Sequence, residues 1–193
     1  MKKEMMKVAA IALFAALFVT TANAQSVKYP KMHFGIRLGG TFNSASTSGL
    51  GSDGEHDNDV KGKNFLTGGL ALDFRLAQIP LYMETGAYYV DRSVSGRYYA
   101  DCYSVQVPVL LSYHHYISDN SAIQPFAGGF VAVSDDFGYG VRLGVGINYG
   151  RLYANVGYDI DLAEKDLRGG YRSGTYTSSG FFATIGFNFG GSR

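Results

Sequence analysis

The sequence predicts an all-β fold, an eight-stranded antiparallel transmembrane β-barrel. Three observations carry this. Eight stretches alternate apolar with small or polar residues at period 2. An N-terminal export signal precedes them. The links between them alternate between short and long, as in outer-membrane barrels.

Residues 1–24 read as a cleaved signal peptide. Lys2, Lys3 and Lys7 form the positive end, Val8 to Val19 is unbroken and apolar, and Ala22-Asn23-Ala24 is a small-x-small cleavage site before Gln25. The apolar run is shorter than the roughly 20 residues of a transmembrane helix. Residues 25–193 then form one barrel domain. Removing the signal's three lysines and one glutamate turns the formal net charge from +1 to −1. That balance points to no nucleic-acid partner. Cys102 is the only cysteine, so no internal disulfide framework exists. Glycine (26), tyrosine (15) and phenylalanine (13) are abundant. Small residues suit a crowded lumen and aromatics suit the two membrane interfaces.

The first strand is expected at 33–42, with Phe34, Ile36, Leu38, Gly40 and Phe42 on one face and Gly35, Arg37, Gly39 and Thr41 on the other. A polar loop follows over 43–63. The second strand, about 64–75, sets Leu66, Leu70, Leu72 and Phe74 against Thr67, Asp73 and Arg75. A short turn containing Pro80 leads to the third, about 81–90, where Met83 and Tyr89 alternate with Glu84 and Tyr88. The fourth is expected at about 98–116, the fifth at 122–133 and the sixth at 137–149. Gly150-Arg151 reads as a two-residue hairpin. The seventh strand covers 152–162, a polar loop runs over 164–179, and the eighth covers about 180–189. Pro108 and Pro125 fall inside strands and remove ladder donors, so bulges or shortened neighbours are expected there.

The apolar face is assigned to lipid because the opposite face is mostly Gly, Thr, Ser and Asn, with very few Lys or Glu. A soluble barrel with its apolar face inward is the alternative. Tyr103 and Tyr113 lie ten residues apart, as do Tyr139 and Tyr149. Ten tilted strand residues climb roughly 23–25 Å, which matches the apolar band of such barrels, about 25 Å. Phe34, Phe42, Phe74, Tyr89, Tyr158 and Phe181 extend these belts. Short turns are expected to face the periplasm and long loops the exterior.

Four motifs stand in order along the chain: Phe34-Gly35-Ile36-Arg37-Leu38-Gly39, Val105 to Tyr113 around Pro108, Gln124 to Gly129 around Pro125, and the close at Phe187-Asn188-Phe189. In these the chain resembles the PorT-type outer-membrane β-barrel family of Gram-negative bacteria, grouped with small porin-like and OmpX-like barrels. Two departures stand out: Gly190 to Arg193 follow the terminal aromatic, and Met83 precedes Glu84 where the family carries proline. The resemblance implies a cell outer-membrane location and strands that tolerate proline. It also implies, more distantly, an accessory role in protein secretion.

The candidate functional residues are a lumenal charge network: Arg37, Asp73, Arg75, Glu84, Arg142, Asp159 and Asp161. Charges inside a narrow barrel must pair, because unpaired burial is expensive. The network reads as structural, with an ion or proton gate as the alternative; Arg37 with Glu84 is the first pair expected. Asp53 to Asp59 supplies acidic oxygens but lacks the glycine and distal glutamate of a calcium loop, so no metal site is assigned. His33, His114 and His115 map to the periplasmic end and His56 to an outer loop, so no catalytic residue is assigned and the chain is read as not an enzyme. No cofactor is expected. The expected partners are outer-membrane lipid and an unidentified protein met by the loops. The function expected is that of a surface scaffold, with a narrow passive channel or a secretion accessory as alternatives.

Overall fold

The computed structural model describes residues 31–48, 61–62, 64–91, 93–95, 103–134, 137–166 and 175–189. The period-2 segments form eight long strands: β1 (Met32–Ser48), β2 (Asn64–Arg75), β3 (Leu81–Asp91), β4 (Tyr103–Tyr113), β5 (Ser121–Val133), β6 (Phe137–Tyr149), β7 (Leu152–Asp161) and β8 (Thr175–Phe189). Each pairs antiparallel with its sequence neighbours, and β1 pairs with β8, from Phe34 opposite Phe189 to Ser48 opposite Thr175. The sheet is therefore closed. Closure matters here because an open edge in lipid would strand unsatisfied backbone groups. Among the described residues no helix is long and apolar enough to cross a membrane, so crossing is left to strands.

The stagger follows from the registers. From His33 the ladder passes through Asp73, Glu84, Leu110, Gly128, Arg142, Asp159 and Gly180, and returns to β1 at Asn43, ten residues on. Eight strands with that stagger tilt by about 41° and set a backbone radius of about 8 Å, using ordinary strand spacing and rise. Such a bore holds side chains and little else.

Alternation is directional. Leu66, Ile185 and Tyr149 are 73%, 70% and 69% exposed on the outer face, whereas Arg37 and Gln106 are 1% and 0% exposed on the inner face. Each of the eight strands presents apolar side chains on its outer face. That arrangement suits a hydrocarbon solvent and no aqueous one. The turns at 76–80, 114–120 and 150–151 share one end with the start of β1 and the end of β8. Gly150 takes φ +60°, the only positive φ among the described residues, as the first position of a type II′ hairpin demands.

The prolines lapse the ladder without moving its register. Between β3 and β4, pairing skips Gly86 and Ala87 opposite Val107 and Pro108, then resumes in step. Between β4 and β5 it skips Tyr113 and His114 opposite Pro125, then resumes at His115 in a short continuation, His115–Ser118. The one register shift lies further on, between Tyr116 and Ser118. The fourth strand thus stops at Tyr113, where the sequence suggested 116. The lapse also disturbs alternation: Ser112, Tyr113 and His114 are all buried, so Tyr113 is not part of the lipid-facing belt. Two strands exceed expectation. The first runs to Ser48 and the eighth starts at Thr175, so the loops are shorter than 43–63 and 164–179. Cys102, His56 and the acidic run 53–59 lie outside the described residues.

Candidate functional site: the filled lumen

The inward residues stack in tiers from the end that carries the short turns. In the lowest tier Tyr82 stacks on His114, with ring centroids 3.8 Å apart and planes at 11°. Ser112 Oγ lies 3.1 Å from His114 Nε2, and Gln124 Nε2 lies 3.4 Å from Nδ1. The Tyr82 and Tyr116 hydroxyls meet at 3.5 Å, and His33 closes the tier 5.9 Å from the Tyr82 ring. The backbone lapse at Pro125 lets His114 turn in here, and its N–H donates to the Pro80 carbonyl at 2.8 Å. A serine beside a histidine suggests a nucleophile with its base. Both are 1% exposed, so no substrate reaches them.

The middle tier belongs to Arg37, whose guanidinium carbon sits 4.0 Å from the centre of the Tyr153 ring. Glycine makes the room: a Cβ on Gly146 would lie 2.5 Å from the Tyr153 hydroxyl, and one on Gly186 would lie 2.5 Å from Arg37 Cδ. Thr184 Oγ1 donates to Asn155 Oδ1 at 2.6 Å, and Asn188 Nδ2 donates to Asn148 Oδ1 at 3.1 Å. Asp73 and Glu84 face each other across β2 and β3, and both feel the positive charge of Arg37.

Above them Arg142 grips Asp159 with two hydrogen bonds of 2.7 Å, from Nε and Nη2, and Nη2 also donates to Gln106 Oε1 at 2.9 Å. The guanidinium lies 4.5 Å from the Phe182 ring centre and 5.8 Å from those of Tyr88 and Phe130. Phe126, Phe182 and Leu110 pack beside it as an apolar collar. Their rings lean on glycines: a Cβ on Gly144 would meet Phe126 Cζ at 2.5 Å, and one on Gly140 would meet Phe130 Cζ at 2.5 Å. A cavity among Thr41, Thr67, Glu84, Arg142 and Thr184 is ≈ 10 Å³, the space of about one water molecule.

At the opposite mouth Asp91 Oδ1 accepts from Ser93 N at 2.8 Å and from Ser93 Oγ at 2.5 Å. Its carbonyl accepts from Thr41 Oγ1 and Asn43 Nδ2. Asp161 Oδ1 caps Ala163 N at 3.3 Å. Among the described residues no group of three or more His, Cys, Asp or Glu is placed to hold a metal.

Of the seven charged candidates, Arg37, Asp73, Glu84, Arg142, Asp159 and Asp161 are buried on the inner face, and Arg75 is half-buried at its short-turn end. The structure brings Arg142 together with Asp159, which register makes direct cross-strand neighbours. It does not bring Arg37 into an ion pair with Glu84, because the guanidinium takes the Tyr153 face. Sequence reasoning missed the aromatic filling. The signal was present: Phe181 assigned outward forces the adjacent Phe182 inward.

Compared with protein-family models and with curated proteins, the chain matches none. Among solved structures it is similar to the outer membrane protein OprG from Pseudomonas aeruginosa, at 13% identity and TM-score 0.56, covering 86% of this chain and 99% of that one. It also matches the N-terminal β-barrel domain of Pseudomonas aeruginosa OprF (13% identity, 84% and 100% covered, TM-score 0.43). A third match is the E. coli outer membrane protein W (16% identity, 84% and 100% covered, TM-score 0.45). The likeness to OprG is one of fold, a closed outer-membrane-type barrel.

Proposed function

We propose that this chain is a small outer-membrane barrel that serves as a non-enzymatic surface scaffold. In this reading residues 1–24 direct export and are removed, lipid holds the barrel, and the long loops at the end opposite the termini meet a protein partner. The carrying observation is the filled bore. Arg37, Tyr82, Leu110, Gln106, Phe126 and His114 are all less than 2% exposed, and the central cavity is ≈ 10 Å³. A bore so filled anchors rather than conducts. The charge network acts as a plug, held by Arg142 and Asp159, instead of as a gate. The OprG-like fold and the apolar exterior support the membrane location.

Planar bilayers test this reading. The wild-type barrel is expected to give no steady open current, while a Phe126→Ala, Phe182→Ala double variant, which empties the collar, raises conductance. Steady wild-type currents of porin type would replace the scaffold reading with the passive channel. The PorT-type resemblance supports a finer reading, an accessory of a protein-secretion system. Loss of exported proteins from the surface of a deletion strain would favour it, and unchanged export would remove it.

A further inference from the structure

The outer wall is not evenly ridged. Across β6, β7, β8 and β1, near the turn end, a concave groove of ≈ 490 Å³ opens toward lipid. Its walls are Ile147, Tyr149, Leu152, Ile185, Ile36 and Leu38. Ala154 makes the hollow. On one ladder row it stands between Ile147 and Ile185, with Leu38 beyond, so a methyl group replaces a branched side chain between two ridges. The next row toward the turn, Tyr149, Leu152, Phe187 and Ile36, is large throughout and closes the lower lip. No charged residue lines the groove. Its volume falls within the ordinary range of ligand sites, about 300–1,000 Å³.

Positive charge stands directly below. Arg151 is exposed in the β6–β7 turn, one residue before the lip residue Leu152, and its carbonyl accepts the Asn188 N–H at 2.8 Å, which fixes the turn beside β8. An apolar trough ending at a cationic rim is the complement of one molecule type: acyl chain above, phosphate below. A second copy fits worse, because a two-fold contact would set hollow against hollow and leave voids.

We propose that this groove is a specific phospholipid site: one acyl chain of the periplasmic leaflet lies over Ala154, and its phosphate pairs with Arg151. The site rests on the outer-membrane reading above. The membrane supplies lipid everywhere on the wall. The groove selects one that stays bound when the rest is stripped away.

The test is native mass spectrometry of the full mature barrel, taken from micelles containing phosphatidylglycerol or phosphatidylethanolamine. Wild type should retain one phospholipid. Ala154→Phe fills the hollow and Arg151→Gln removes the phosphate partner; each should lower retention about tenfold, the worth of a charge-assisted contact or of a lost apolar site. Ala127→Phe, exposed on β5 outside the groove, should retain lipid as wild type does. Equal retention by all four proteins would overturn the site, as would a wild-type dimer that Ala154→Phe dissolves. The heat-dependent gel mobility of the same samples separates the two claims. A barrel that shifts on heating but shows no selective retention removes this site alone. A soluble protein with no shift removes the membrane reading with it.

Discussion

Arg142→Met is the substitution that asks most of the filled lumen. It deletes two 2.7 Å hydrogen bonds to Asp159 and one of 2.9 Å to Gln106, and leaves Asp159 buried without that countercharge. Breaking a buried ion pair from one side costs about 3–5 kcal/mol. The folded-to-unfolded ratio should thus fall by roughly two to four powers of ten. Burial also shields the pair from counterions, so the loss should change little between low and high salt. Arg142→Met with Asp159→Leu removes both charges and leaves apolar groups among Phe182, Phe130 and Tyr88. The double variant should recover to within about 1–2 kcal/mol of wild type. The chain contains no tryptophan, so urea unfolding in micelles is followed by circular dichroism and by the gel mobility of unboiled samples. A single-variant loss below about 1 kcal/mol, or two single losses that simply add in the double variant, would refute the idea that this pair holds the plug.

Three further outcomes are expected. Leu38→Arg, midway between the Phe34 and Phe42 aromatics on the outer wall, should cost about 2–4 kcal/mol in bilayers, and Phe189→Arg at the rim about 0–1 kcal/mol; equal costs in vesicle unfolding would contradict the depth assignment. Gly144→Ala would force a Cβ against Phe126 and the Val156 carbonyl and should destabilise by about 1–3 kcal/mol. Gly129→Ala meets only the Gly140 carbonyl at 3.6 Å and should stay within about 0.5 kcal/mol, so urea midpoints that rank the two glycines the other way would refute the ring-on-glycine packing. Asp91→Ala removes the acceptor of Ser93 N and Oγ and should cost about 1–3 kcal/mol, with amide exchange at Ser93 accelerating well before the barrel ladder exchanges; protection unchanged at Ser93 would show that the capping is inert.

Strand identity was legible from alternation because lipid and lumen impose opposite chemistry on neighbouring residues, as Leu66 and Thr67 show. Strand ends were less so. Asn43 to Ser48 and Thr177 to Ser179 are polar or small on both faces, so they carry no period-2 contrast, although their backbones pair residue for residue. Tyr113 misled for a different reason: its outward parity holds only while the ladder holds, and Pro125 interrupts it. The charge network shows the deepest limit. Which acid meets which arginine depends on register, and register comes from the ten-residue stagger of the closed sheet, a property that no single strand carries. Arg142 and Asp159 meet because β6 and β7 are joined by a two-residue turn. Arg37 and Glu84 have no such local tie.

The central claim is a closed barrel in lipid, and electrophoresis of the outer-membrane fraction in mild detergent, with and without boiling, tests it most directly. The account predicts that the protein is in that fraction and that boiling changes its mobility, because a closed ladder survives the detergent until heat opens it. One mobility at both temperatures, with the protein recovered from the soluble periplasm, would contradict it and would turn the apolar face from a lipid wall into an inward-facing pocket.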